Sequence, residues 1–169
     1  AVQRALADES KWDDFEQRFQ TEVFGKLPMF FASMPSSAAK IARELRVPEL
    51  KRRATKEGAE GQAAKRLLEA VYAQTNFYLM RQLMAKGEYA VAAATLTVAT
   101  DIHPDRWPAF YNLGAAYARA GDKRHALDSL AKAIDIGFKD AALLASDEDY
   151  ASVRNDERFK KLLLALSSQ

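Results

Sequence analysis

The residues of this chain that could carry acid–base or nucleophilic chemistry are few and far apart in sequence. His103 and His125 are its two histidines, and neither has the neighbours that an HExxH or similar metal motif requires. Ser37 and Lys40 form an S-x-x-K string, which supplies the acyl-accepting serine of penicillin-recognising enzymes. No K-T-G or S-D-N partner accompanies the string here. We therefore interpret Ser37 as a helix-capping serine and Lys40 as a solvated lysine.

The acidic and glycine-rich stretches offer no better case for catalysis. Asp147, Glu148 and Asp149 lie together, but they lack the glycine and the liganding glutamate of a calcium-binding loop. Gly58 and Gly61 are too few for a phosphate loop. The chain contains no cysteine, which excludes disulfides and thiolate chemistry. The sequence therefore predicts a protein that is not an enzyme, without catalytic residues, cofactor or metal site.

The composition indicates a soluble globular protein. Hydrophobic residues make up 49% and charged residues 28% of the chain, which is ordinary for a folded domain. The net charge of +2 is too small to favour nucleic acid as the main partner. No apolar run approaches the roughly 20 residues that span a bilayer. The lack of cysteine suits an exported bacterial protein as well as a cytosolic one. The start at Ala1 suggests a processed or excised piece.

Landmark residues recur thirty-four positions apart in the second half of the chain. The pairs with this spacing are Leu79 and Leu113, Gly87 and Gly121, Ala92 and Ala126, Leu96 and Leu130, Ala99 and Ala133, and Ile102 and Ile136. A repeat of this length, alternating helix and tight turn, is typical of a solenoid of helical hairpins. Such arrays work by presenting a surface, so the repeat directs the search for function toward a groove.

Helix-starting and helix-ending residues divide the whole chain into helices, and no stretch alternates as a strand would. The predicted N-terminal elements are a helix over 10–24, an apolar connector over 27–35, a helix to residue 46 capped by Ser36 or Ser37, and a helix over 49–57. The predicted later helices span 61–86, 89–102, 110–120, 123–136 and 141–144, and a final helix is capped by Asp156.

The second hairpin resembles the tetratricopeptide repeat (TPR). The residues that carry the resemblance are Phe110, Leu113, Gly114, Tyr117, Gly121, Ala126, Leu130 and Ala133. The first repeat matches more loosely, because Asn76, Met80 and Leu83 replace the large aromatic residue, the glycine and the tyrosine. The tail from Gly137 to Phe159 resembles the segment that often follows the last repeat of such arrays. The resemblance covers about residues 73–166.

The resemblance implies an all-α fold, a TPR-like helical-hairpin solenoid. We expect an N-terminal helical extension over residues 1–60, and repeats with a terminal capping helix over residues 61–169. The physical basis is that Gly114 and Ala126 are small where two helices must approach to about 8–10 Å. One hairpin cannot bury its apolar face alone, so it stacks on its neighbour.

In the family's arrangement the opening helices line a groove. The groove positions implied here are Gln74, Phe77, Arg81, Met84, Tyr111, Asn112, Ala115 and Arg119. Phe77 and Tyr111 are equivalent positions of successive repeats, and Arg81 and Arg119 lie within one turn of the same level. Such a groove suits a peptide or partner protein that offers a carboxylate and an apolar anchor. The family's carboxylate clamp for chaperone tails is not expected, because its lysine and asparagine residues are absent from the matching positions.

A different role for these groove residues is to pack against the N-terminal helices. The aromatic residues of those helices that need a partner are Trp12, Phe15, Phe19, Phe30 and Phe31. In that arrangement the short groove is filled by the chain itself.

Three functions are consistent with the sequence. The first is a non-catalytic protein–protein interaction or scaffolding module that binds its partner in the groove. The second is the C-terminal accessory domain of a larger bacterial enzyme, such as a secreted hydrolase. The third is a weak binder of anionic surfaces or nucleic acid through Lys40–Arg66, which holds nine basic and four acidic residues. That segment lacks aromatic residues on which bases could stack, so a solvated surface is the simpler interpretation.

Overall fold

The computed structural model describes residues 2–32 and 37–168, with side chains for 8–30 and 37–168. Every regular element in these ranges is a helix, and none is a strand, so the prediction of an all-α chain is confirmed. The chain forms two compact units, one up to Ala73 and one from Gln74. The sequence-based boundary follows residue 60 instead.

The N-terminal unit is built from consecutive helices joined by short turns. They are α1 (Val2–Glu22), a 3-10 turn (Phe24–Lys26), α2 (Leu27–Ala32), α3 (Ala38–Glu44), α4 (Val47–Ala54) and α5 (Gly58–Ala73). Ala63, Ala64 and Leu67 of α5 are buried, and α5 packs against α1 and α4. These contacts explain why α5 belongs to this unit.

Two predicted elements at the start of this unit are wrong. Helix α1 begins at Val2 rather than near Ser10, because the alanine, leucine and glutamate residues before Ser10 favour a helix and a serine inside it does not end it. Leu27–Ala32 is the helix α2 rather than part of a connector. Residues 33–36, which include the alternative cap Ser36, lie outside the described residues, as does the side chain of Phe31. Ser37 caps α3 through a bond from the Lys40 N–H, as predicted.

Two arginines of α4 and its start cover the aromatic face of α1. The Arg46 guanidinium lies 5.5 Å from the ring centres of Phe15 and Phe19. That of Arg53 lies 5.4 Å from Trp12 and 5.3 Å from Phe15. Cation–π contacts of this kind contribute about 0.5–2 kcal/mol each. The rings of α1 therefore have their partners inside this unit.

Glu49 holds both of these arginines in place. Its carboxylate accepts hydrogen bonds from Arg46 Nε at 2.7 Å and from Arg53 Nε at 2.9 Å. The hydrogen bond from Arg46 is the largest cause that lowers the pKa of Glu49, and the bond from Arg53 lowers it further against the opposing effect of burial. Arg46 itself has a left-handed backbone, with φ of 55°.

We predict that Glu49→Gln destabilises the N-terminal unit by roughly 1 kcal/mol at neutral pH, because the glutamine keeps the shape but not the charge. The folded pKa of Glu49 lies below its ordinary value, so the unfolded chain binds this proton more readily. The stability that Glu49 provides is thus present above its ordinary value of 4.5 and is lost as the pH falls further. Urea unfolding at pH 7 and at pH 3 measures the effect, and the difference between wild type and variant should shrink at the lower pH. An unchanged difference would contradict the role of the charge.

The C-terminal unit continues as helices that pair through tight turns. It contains a π-helical segment (Gln74–Leu79), α6 (Met80–Ala85), α7 (Tyr89–Ile102), α8 (Trp107–Arg119), α9 (Lys123–Asp135), α10 (Ala141–Ser146), a 3-10 segment (Glu148–Val153) and α11 (Glu157–Ser167). Asp156 caps α11 through a bond from the Arg158 N–H, as predicted. Helix α6 packs on α7, α7 on α8, and α8 on α9.

The two repeated glycines end their helices in the same way. Gly87 and Gly121 have φ of 75° and 83°, a left-handed conformation that glycine adopts without steric cost. In the first turn Glu88 N–H bonds to the Leu83 carbonyl at 2.9 Å, and in the second Asp122 N–H bonds to the Tyr117 carbonyl at 2.9 Å. This is the hydrogen bonding of a Schellman cap. The thirty-four-residue spacing therefore corresponds to a repeated helix end.

Helices α8 and α9 cross at Gly114. A Cβ atom at this glycine would lie 3.0 Å from the Ala126 carbonyl oxygen and would collide with the Tyr150 hydroxyl. The buried Tyr150 hydroxyl donates a hydrogen bond to the Tyr111 carbonyl at 2.7 Å. The crossing thus requires a residue without a side chain, and the tail after α9 depends on it.

We predict that Gly114→Ala lowers the free energy of unfolding by about 1–3 kcal/mol, because it overpacks this crossing. The loss should occur although alanine favours a helix by about 1 kcal/mol. Chemical denaturation measures it, with Gly25→Ala as control, since a Cβ at Gly25 meets nothing within 4 Å. Adding Tyr150→Phe should make the combined loss smaller than the sum of the two single losses. Strict additivity would show that the hydroxyl is not the obstacle.

Candidate interaction surface

The first predicted groove positions lie on the π-helical segment and α6. Thr75 and Asn76 of the segment are fully buried. The Asn112 side-chain amide donates to Asn76 Oδ1 at 3.0 Å and to the Asn76 carbonyl at 3.3 Å. A π-helical turn has i→i+5 bonds and takes up an additional residue. The side chains of this segment therefore do not follow regular α-helical spacing.

Two aromatic residues of the π-helical segment reach the surface. Phe77 is 44% exposed and Tyr78 is 63% exposed. The nearby Leu79 and Leu83 are buried, so Tyr78 does not share their apolar face. The π-helical turn accounts for this, because its i→i+5 bonding breaks regular helical spacing within the segment. None of the capping, turn or periodicity patterns of the sequence marks the π-helical turn.

Arg81 follows these rings by about one helical turn. It is exposed, and it forms no salt bridge with another residue that the structure describes. Gln74 and Met84, the other two predicted positions on this stretch, are half-buried. The surface at Phe77, Tyr78 and Arg81 is called the aromatic–arginine surface below.

The equivalent positions of the second hairpin are closed by the tail. Tyr111 is only 6% exposed, and Ala115 is also buried. The Tyr111 hydroxyl donates to Asp147 Oδ2 at 2.6 Å, and its ring centre lies 4.5 Å from Phe138 and 5.3 Å from Tyr150. Burial, and then the bond to the Asp147 carboxylate, raise the pKa of Tyr111.

Arg119 also has partners within the unit. Its Nη1 lies 3.0 Å from Asp149 Oδ1, its Nη2 donates to the Tyr89 hydroxyl, and its guanidinium lies 4.7 Å from the Tyr89 ring centre. Burial is the largest cause that raises the pKa of Asp149, and the nearby Asp147 adds to it. These contacts leave Arg119 half-exposed but already paired with a carboxylate.

The other residues that could carry chemistry, one histidine and the acidic residues near it or in the tail, have structural roles. His125 Nδ1 lies 2.7 Å from Asp122 Oδ2 at the start of α9, and the His125 ring packs on Tyr117. Asp147 accepts a bond from the Asp149 N–H at the start of the 3-10 segment. Within the described residues, no group of three or more histidine, aspartate or glutamate residues could hold a metal ion.

Part of the basic segment Lys40–Arg66 is neutralised internally. Arg53 and Lys56 both bind Glu60, at 2.6 Å and 2.8 Å, and Arg66 pairs with Glu16 of α1. Arg46 pairs with Glu49. These pairs reduce the charge that the segment could offer to nucleic acid or an anionic surface.

We predict that alanine substitution of the two groove arginines changes stability to different extents. Arg119→Ala should lower the free energy of unfolding by about 1 kcal/mol, because it removes an ion pair and a contact with an aromatic ring. Arg81→Ala should change it by less than about 0.5 kcal/mol, as is usual for an exposed side chain. Chemical denaturation of the two variants in parallel measures this. Equal losses would show that Arg81 also has a structural role.

None of the described helices is both long enough and apolar enough to cross a membrane. No protein-family model matches this chain, and no curated protein or solved structure matches it either.

Proposed function

We propose that this chain is a non-catalytic protein–protein interaction or scaffolding module with TPR-like hairpins. Three features support the arrangement: the thirty-four-residue repeat, the matching glycine turns at Gly87 and Gly121, and the sequential packing of α6, α7, α8 and α9. The small residues Gly114 and Ala126 at the α8–α9 crossing agree with the same interpretation. The tail, with α11, then serves as the cap that terminal repeats require.

The partner binds at the aromatic–arginine surface. The observation that carries this proposal is the exposure of Phe77 and Tyr78 about one turn from Arg81, which has no salt bridge to a described residue. Exposed aromatic residues and arginines dominate the energy of protein interfaces. A local π-helical turn frequently marks a functional position. By contrast, the corresponding surface at Tyr111 and Arg119 is covered by the chain's own acidic and aromatic tail.

The partner's chemistry follows from this surface. Arg81 offers a planar fork that binds a carboxylate through two hydrogen bonds, and the two rings offer an apolar seat. The expected ligand is therefore a peptide segment that carries an acidic residue close to an aromatic or aliphatic anchor.

Selection from a random peptide library displayed on phage tests this function. We expect the selected peptides to be enriched in aspartate or glutamate next to an apolar residue. Their synthetic forms should bind Arg81→Ala and Phe77→Ala at least tenfold more weakly than wild type, which corresponds to about 1.4 kcal/mol. The matched control is Arg124→Ala, which removes an arginine whose side chain is 80% exposed on α9 and should leave binding unchanged. Equal binding by wild type and both surface variants would refute the proposal.

A further inference from the structure

A cleft of about 760 Å³ lies within the N-terminal unit, bordered by the end of α1, the 3-10 turn after it, α2 and α3. This volume is in the range of small-molecule sites, roughly 300–1,000 Å³. The groove residues Phe77, Arg81 and Tyr111 belong to the other unit. The cleft is therefore a different site from the surface that binds the peptide partner.

Three cations at the cleft are available to a ligand. Lys26, Lys40 and Arg43 line it, and none of them forms a salt bridge with another described residue. This distinguishes Lys40 and Arg43 from Arg53 and Arg66 of the same basic segment, whose charges are matched by Glu60 and Glu16. A charge without a partner at the edge of a cleft can bind an anion without first breaking an existing pair.

The cleft also has an apolar part. Val23 and Phe30 line it and are half-buried. Arg46 lies at the same cleft, but Glu49 holds its guanidinium over the rings of α1, so its charge is already matched. A ligand here thus meets cationic side chains and an apolar surface together, which are the two components of a site for an amphipathic anion.

Two carboxylates limit the charge of that ligand. Glu22 and Glu44 also line the cleft. The three unmatched cations Lys26, Lys40 and Arg43 exceed these two carboxylates by a single positive charge. A polyanion such as a nucleic-acid backbone would bring several phosphates close to Glu22 and Glu44, and like charges at short distance repel. A ligand with one negative charge avoids this cost.

We propose that this cleft binds a small organic monoanion in which a carboxylate is attached to an alkyl or aromatic group. The carboxylate pairs with Lys40 and Arg43 of α3, and the apolar group lies against Phe30 and Val23. Lys26 closes the cationic side from the turn after α1.

The fluorescent probe 8-anilinonaphthalene-1-sulfonate tests the site, because it is an organic monoanion with aromatic rings. Titration of the folded full chain should show one saturable site. The double variant Lys40→Gln and Arg43→Gln should bind at least tenfold more weakly. The control is Arg52→Gln with Lys65→Gln, which removes two charges of the same segment that do not line the cleft and should change binding by less than twofold. Thermal melting of both double variants should match wild type, so that a loss of binding does not reflect unfolding.

Competition identifies the ligand class. Decanoate, a carboxylate with an alkyl chain, should displace the probe, whereas inorganic phosphate at the same concentration should not. Arg81→Ala should bind the probe like wild type, which separates this site from the peptide partner. The proposal is overturned if both double variants lose affinity equally, if phosphate competes as well as decanoate, or if no saturable site exists.

Discussion

The C-terminal unit depends on how closely α8 approaches α9 and the tail at Gly114. Only a residue without a side chain leaves room there for both the Ala126 backbone and the Tyr150 hydroxyl. Once Tyr150 occupies that space and bonds to the Tyr111 carbonyl, Asp147 lies beside the Tyr111 hydroxyl. Asp149 likewise lies beside Arg119. The close approach at this one glycine thus allows the tail to contact Tyr111 and Arg119 on this face of α8.

The first hairpin has Met80 at the position equivalent to Gly114 and a π-helical segment directly before it. Met80 therefore places a side chain where the second hairpin has none, and Phe77 and Tyr78 of the π-helical segment are exposed. The two hairpins share a repeat and have opposite surfaces, one closed and one accessible. This contrast is the physical basis for locating the proposed partner site on the first hairpin.

The features that the sequence predicted well, helix caps and turns, depend on residues that are close together along the chain. Ser37 and Asp156 cap helices as expected, and α7 spans its predicted range, because capping and turn chemistry are local. The predicted helix start at Ser10 was wrong, because this serine, although a good N-cap residue, lies within a run of good helix formers. The closure of Tyr111 and the pairing of Arg53 or Arg66 were not predictable in this way. They depend on segments that are distant in sequence.

Arg46 shows how the needs of a backbone and of a side chain can diverge at one position. Its left-handed conformation would suit glycine or asparagine better. Neither of those residues could reach both Glu49 and the rings of α1. The backbone conformation and the side-chain contacts at this position therefore favour different residue types. Among descendants of this sequence, a long cation should persist at this position even though a shorter residue would relax the chain.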